Sequence, residues 1–79
     1  MPYREDLENS LVEVRRRRDE AEAEAGRAAE ELVRMAGGSA SIMEVDPDAV
    51  RAAADTYAES VQRLKLLDDF ARKLRRILI

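Results

Sequence analysis

The sequence predicts an all-α fold: an antiparallel two-helix coiled-coil hairpin, assembling into a four-helix bundle as a dimer or with a helical partner. Three observations lead there. The positions Leu7, Leu11, Val14, Arg18, Ala21, Ala25, Ala28, Leu32 and Met35 alternate in steps of four and three, and so do Val50, Ala53, Tyr57, Ser60, Leu64, Leu67, Ala71, Leu74 and Leu78. Such spacing keeps one stripe of a helix facing one neighbour. One short break containing Gly37 and Gly38 separates the two ladders. Charged residues make up 39% of the chain and aromatics only 4%, a balance that suits long solvated helices and little else.

The 79 residues are read as a single helical-hairpin domain, with a first helix over 3–36, a turn over 37–46 and a second helix over 47–78. The first segment is rich in Glu, Arg, Ala and Leu, and Gly26 is its one weak helix former. Gly37-Gly38 is expected to stop it, because glycine accepts the left-handed conformation at a helix end. In the second helix Asp46 is placed to cap free backbone N–H groups, Pro47 suits the first helical position, and Asp48 meets the positive end of the dipole. Arg72, Lys73, Arg75 and Arg76 fall near its C-terminus, where cations are favoured.

The connection is too short to lead anywhere but back, so the helices run antiparallel. If core partners have residue numbers summing to 85, Leu7 meets Leu78, Leu11 meets Leu74, Val14 meets Ala71, Arg18 meets Leu67 and Ala28 meets Tyr57. Large residues then mostly face small ones, as close packing requires. The flanking pairs Glu8–Arg75, Arg15–Asp68 and Glu24–Arg63 are of opposite sign in this register. Tyr57, Leu64, Leu67 and Leu74 hold the hairpin. Arg18 stands on the core line and is expected to lay its stem in the seam while its guanidinium reaches Asp68 or water. Ile42, Met43 and Val45 are expected to cap the loop end of the core.

Leu66, Phe70 and Ile77 form a second stripe beside the core line, and Ile79 is a further apolar residue at the chain end. A stripe that wide on one helix usually touches two neighbours, and a hairpin supplies one. These four residues are therefore the candidate partner-binding site, for self-association as a homodimer or for a helical partner protein. The expected role is a non-catalytic protein-binding module: an adaptor, an assembly factor or a secretion-type chaperone. The alternative is a dimeric hairpin that binds RNA through Arg15, Arg16, Arg17, Arg72, Lys73 and Arg76. Against it, the net charge is −3, aromatic residues for stacking are scarce, and acidic residues surround the arginine run.

The absence of histidine removes the commonest general base, and the absence of cysteine removes disulfides and thiolate metal sites. The Gly37-Gly38 pair follows a helix and lacks the Lys-Ser/Thr of a phosphate loop. No enzyme activity, cofactor or metal is expected. A basic amphipathic helix at the C-terminus is better used in the core than on a membrane. With no apolar run of membrane-span length and no signal-peptide stretch at the N-terminus, a cytoplasmic location is the expectation.

In size and layout the chain is similar to the small helical-hairpin co-chaperones of type III secretion needle subunits. That likeness covers architecture and no diagnostic motif. It implies a hairpin paired with a partner and shielding an aggregation-prone helix. The stretch Val45-Asp46-Pro47-Asp48-Ala49-Val50-Arg51-Ala52-Ala53-Ala54 also resembles the opening helix of some type VII secretion hairpin proteins. Their Trp-x-Gly turn is missing, and here the segment opens the second helix rather than the first.

Overall fold

A computed structural model describes residues 2–37 and 46–79 of the chain. Helix α1 spans Pro2–Gly37 and helix α2 spans Pro47–Leu78. They lie side by side and antiparallel as a hairpin: Leu7 packs with Leu78 near the chain ends, and Glu24 meets Ser60 and Arg63 farther along. The molecule is a rod of 62 × 15 × 15 Å.

α1 runs one residue beyond the expected 3–36 at each end. Gly37 is its last helical residue and does not adopt a positive φ, so the left-handed stop expected at this glycine is not made there. Gly38 and the apolar turn residues Ile42, Met43 and Val45 lie outside the described residues. The start of α2 is capped as its residue types require. Asp46 is extended (φ −69°, ψ 113°) and its carboxylate accepts a hydrogen bond from the Asp48 N–H at 3.0 Å. Its carbonyl accepts the first turn's bond from the Val50 N–H at 3.1 Å, and Pro47 needs no partner at that position.

The seam follows the two ladders. Leu11, Val14, Ala71 and Leu74 form the densest part of the core, with Leu7, Leu67 and Leu78 packed against it. Toward the turn the seam narrows to small residues: Ala21, Ala25, Ala28 and Ser60 are all buried. Tyr57 is the exception among the ladder positions, at 42% exposed. Its expected partner, Ala28, and the neighbouring Ala25 and Ser60 are small and buried, a stretch of the seam too small to enclose a phenol ring.

Polar groups at the seam are settled by partners across it. Ser60 is 2% exposed and its hydroxyl donates to Glu24 Oε2 at 3.4 Å, while Arg63 Nη1 donates to the same oxygen at 3.0 Å. Arg18 keeps its stem in the seam and sends Nη1 to 3.6 Å from Asp68 Oδ1. Of the three flanking pairs expected between helices, only Glu24–Arg63 forms. Glu8 instead takes Arg4 at 3.2 Å, and Asp68 takes Arg18 and Arg72 rather than Arg15. A partner four residues away on the same helix already stands within reach, whereas a partner on the other helix must be held there by the seam.

Replacing Leu74 with alanine removes a buried side chain from the densest layer and is expected to cost about 2–5 kcal/mol. Replacing Asp46 with alanine is expected to cost about 1 kcal/mol through lost capping. Urea unfolding followed by circular dichroism should rank L74A well below D46A, and the reverse order would contradict this account of the core.

Candidate protein-interaction surface

One side of α2 is apolar and largely uncovered. Leu66 is 71% exposed, Phe70 51% and Ile77 65%, and Ile79 is fully exposed as the residue that caps the helix. The heptad places the first three there. Leu67, Ala71, Leu74 and Leu78 occupy the seam, so Leu66, Phe70 and Ile77, each one position before a seam residue, point past α1 into solvent, whereas Ile79 lies beyond the helix end and off this stripe. The four predicted partner-binding residues thus share one end of the rod.

Sequence reasoning left out part of this surface. Tyr3, 76% exposed, lies across from Ile77, and the two line a shallow recess with Arg4, Leu7 and Leu78. Phe70 forms one wall of a groove between the helices, opposite Asn9, Ser10 and Val14. The signal for Tyr3 was present, since it precedes Ser10 and Arg17 by multiples of seven on the edge of α1 that faces Phe70. Val12 and Val33 are also exposed, but singly, as apolar residues often are on a soluble surface.

The same groove continues along the rod. Past Arg63 and Glu24 at its centre it reaches a second apolar stretch lined by Ala28, Met35, Ala49, Ala52, Ala53 and Thr56. Its near end presents bulky side chains outward; its far end presents small ones.

The cations proposed for nucleic acid are exposed but mostly engaged. Arg16 bonds Glu13 at 2.6 Å and also pairs with Glu20, and Arg17 bonds Glu13 at 3.0 Å. Arg72 holds Asp68 at 2.9 Å and Lys73 holds Asp69 at 3.1 Å. Arg15 and Arg76 are exposed without a salt bridge among the described residues. The consecutive arginines of 15–18 diverge around α1, as about 100° per residue demands, and form no flat basic face.

Arg16 and Arg17 together clamp Glu13. Their hydrogen bonds, Arg16 first, hold its carboxyl down at about 2, and Glu13 in turn pushes the Arg16 guanidinium up. Among the described residues no three carboxylates converge to hold a metal ion, and no helix is long and apolar enough to cross a membrane. No family model matches the chain, and no curated protein or solved structure matches it either.

The Glu13 clamp has a pH signature. A carboxylate whose pKa is lower folded than unfolded adds stability above its unfolded value, and that stability is lost as pH falls through the folded one. The contribution of Glu13 should therefore be present at neutral pH and fade between about 4.5 and about 2. Acid unfolding of Glu13→Gln compared with the parent chain should show the parent's advantage shrinking over that window. An advantage that stays constant from pH 7 to pH 2 would exclude the clamp.

Proposed function

We propose that this chain is a non-catalytic protein-interaction module, a small helical-hairpin adaptor, assembly factor or chaperone that docks through Leu66, Phe70, Ile77 and Ile79. The exposure of Leu66, Phe70 and Ile77 together on one side of α2, with the seam already complete without them, carries the reading. Large apolar side chains in one contiguous stripe mark interaction surfaces more than chance exposure does. At the observed exposure, covering each of the three contributes on the order of 1–2 kcal/mol before the costs of association.

The shape supports the same reading. The radius of gyration is 17.7 Å, against about 12 Å for a compact domain of this length. A rod two helices wide has no interior in which to bury a substrate. What it offers is length and edge. Nucleic-acid binding has weaker support, because four of its six cations are tied to carboxylates on their own helix.

Photo-crosslinking in cells tests the docking surface. A photoreactive amino acid at position 66 or 77 should give discrete protein adducts, and the same group at Asp19, which is exposed on α1 away from the groove, should not. Equal labelling from all three positions would end the proposal. For the polyanion alternative, a labelled single-stranded RNA at low salt should show no saturable binding. A tight, steeply salt-dependent affinity would reverse the ranking of the two readings.

A further inference from the structure

One edge of α2 reads Ala49, Thr56, Arg63, Phe70 and Ile77 at intervals of seven, and the row beside it reads Ala52, Glu59, Leu66 and Lys73. The first row is symmetric in position about Arg63, and so, within half a residue, is the second. In the first row small residues, Ala49 and Thr56, occupy one half and bulky ones, Phe70 and Ile77, the other; in the second, Ala52 and Glu59 stand opposite Leu66 and Lys73. An antiparallel neighbour with the same sequence, centred at Arg63, would set Ile77 on Ala49, Phe70 on Thr56, Lys73 on Ala52 and Leu66 on Glu59, with Arg63 beside its own copy at the axis, each guanidinium held by its Glu24 at 3.0 Å. It would do so twice, related by a two-fold axis, as isologous interfaces require.

The groove beside this edge has the matching profile. Its far stretch has an apolar floor of Ala28, Met35, Ala49, Ala53 and Thr56 bordered by the charged Glu24, Arg27 and Glu31, and it is the recess that a Phe70 from a second copy would enter. Both ends of the groove belong to the same side of the hairpin, because Glu24, Arg27 and Arg63 join them at its middle.

Charge favours the same arrangement. Residues 1–18 with 67–79 carry nine basic and six acidic side chains, whereas 19–66 carry five basic and eleven acidic. Stacking the terminal ends of two copies would superpose like charge. Full antiparallel overlap sets each basic end on an acidic one.

Area is sufficient. One hairpin exposes 6342 Å², so two free copies expose about 12,700 Å². A compact protein of the combined mass exposes about 8,000 Å². About 4,700 Å² is the ceiling for a compact dimer; an elongated bundle buries less, and a standard interface of about 1,600 Å² lies well below that ceiling.

Resting on the docking role of the α2 stripe, we propose that its occupant is a second copy of this chain. Two hairpins lie fully overlapped and antiparallel as a four-helix bundle, and Phe70 and Ile77 of each pack on the small residues Thr56 and Ala49 in the turn-proximal half of the other.

Pulsed electron-spin distance measurements on the full chain decide it. The sequence has no cysteine, so Gln62→Cys and Arg76→Cys each accept one spin label per copy, both at exposed positions. Centred on Arg63, the labels at 62 should lie roughly the width of two packed helices apart, about 20 Å. Those at 76 should be offset by about 40 Å along the axis, at 1.5 Å per residue. Short distances at both positions would mean parallel hairpins, and a short distance at 76 with a longer one at 62 would mean stripe on stripe; either overturns the proposal. So does a lack of intermolecular coupling, and if positions 66 and 77 still crosslink to a different protein, the docking surface survives while its occupant is wrong. Ala52→Lys, in the exposed groove and far from the stripe, should weaken the dimer at least tenfold by sedimentation equilibrium. An unchanged association constant would also overturn it.

Discussion

A helix in a hairpin has one neighbour, and that constraint governs the rest of the structure. Only the side chains facing that neighbour are buried, so the seam of Leu11, Val14, Ala71 and Leu74 with its flanking leucines is the whole of the dense core. Everything else must be soluble in its own right or be covered from outside. The charged majority of residues meets the first condition, mostly as pairs three or four apart on one helix. The apolar edge of α2 meets neither while the hairpin stands alone.

The narrowing of the seam is what lets polar and charged residues occupy core positions. Ser60 sits among alanines, where a hydroxyl fits and a leucine would force the backbones apart. Burying that hydroxyl without a partner would be costly, and Glu24 supplies one while Arg63 balances its charge. Arg18 solves a similar problem with length: its stem fills the seam and its guanidinium leaves toward Asp68. Each of these groups fits one antiparallel register and would be stranded by a shift of one heptad. The polar seam therefore fixes alignment more than it adds stability, as is common for polar residues in coiled-coil cores.

How much could be read from the chain depends on the range of the interaction. The ladder positions were legible because their periodicity is a property of the helix itself, and every one outside Tyr57 is buried or half-buried. The cap at Asp46 was legible because it is local, made between residues two apart. Tyr57 stayed exposed because its room in the seam is set by several small residues together, Ala25, Ala28 and Ser60, a sum that no single position reveals. Two of the three flanking cross-helix ion pairs, Glu8–Arg75 and Arg15–Asp68, failed for a different reason, while Glu24–Arg63 formed. Sequence register shows which charges can meet, but Glu8 and Asp68 also have cations on their own helix at distances the helix fixes in advance. The exposed stripe was visible as surplus apolar residues, whereas Tyr3 and the small-residue groove emerged only when both helices were in place.

The same seven-residue period that builds the seam also orders the neighbouring edge, and this has a physical consequence. A helix that keeps one stripe facing its partner keeps every other stripe straight as well. Any bias in side-chain size along such a stripe becomes a profile in space. On α2 the bias runs from alanines near Asp46 to leucine, phenylalanine and isoleucine near the C-terminus, while the charge of the hairpin runs from acidic to basic in the same direction. Two gradients that run together are both satisfied by one operation, a half-turn that reverses the rod end for end. A partner of unrelated sequence would have to reproduce both gradients in reverse, whereas a second copy carries them already.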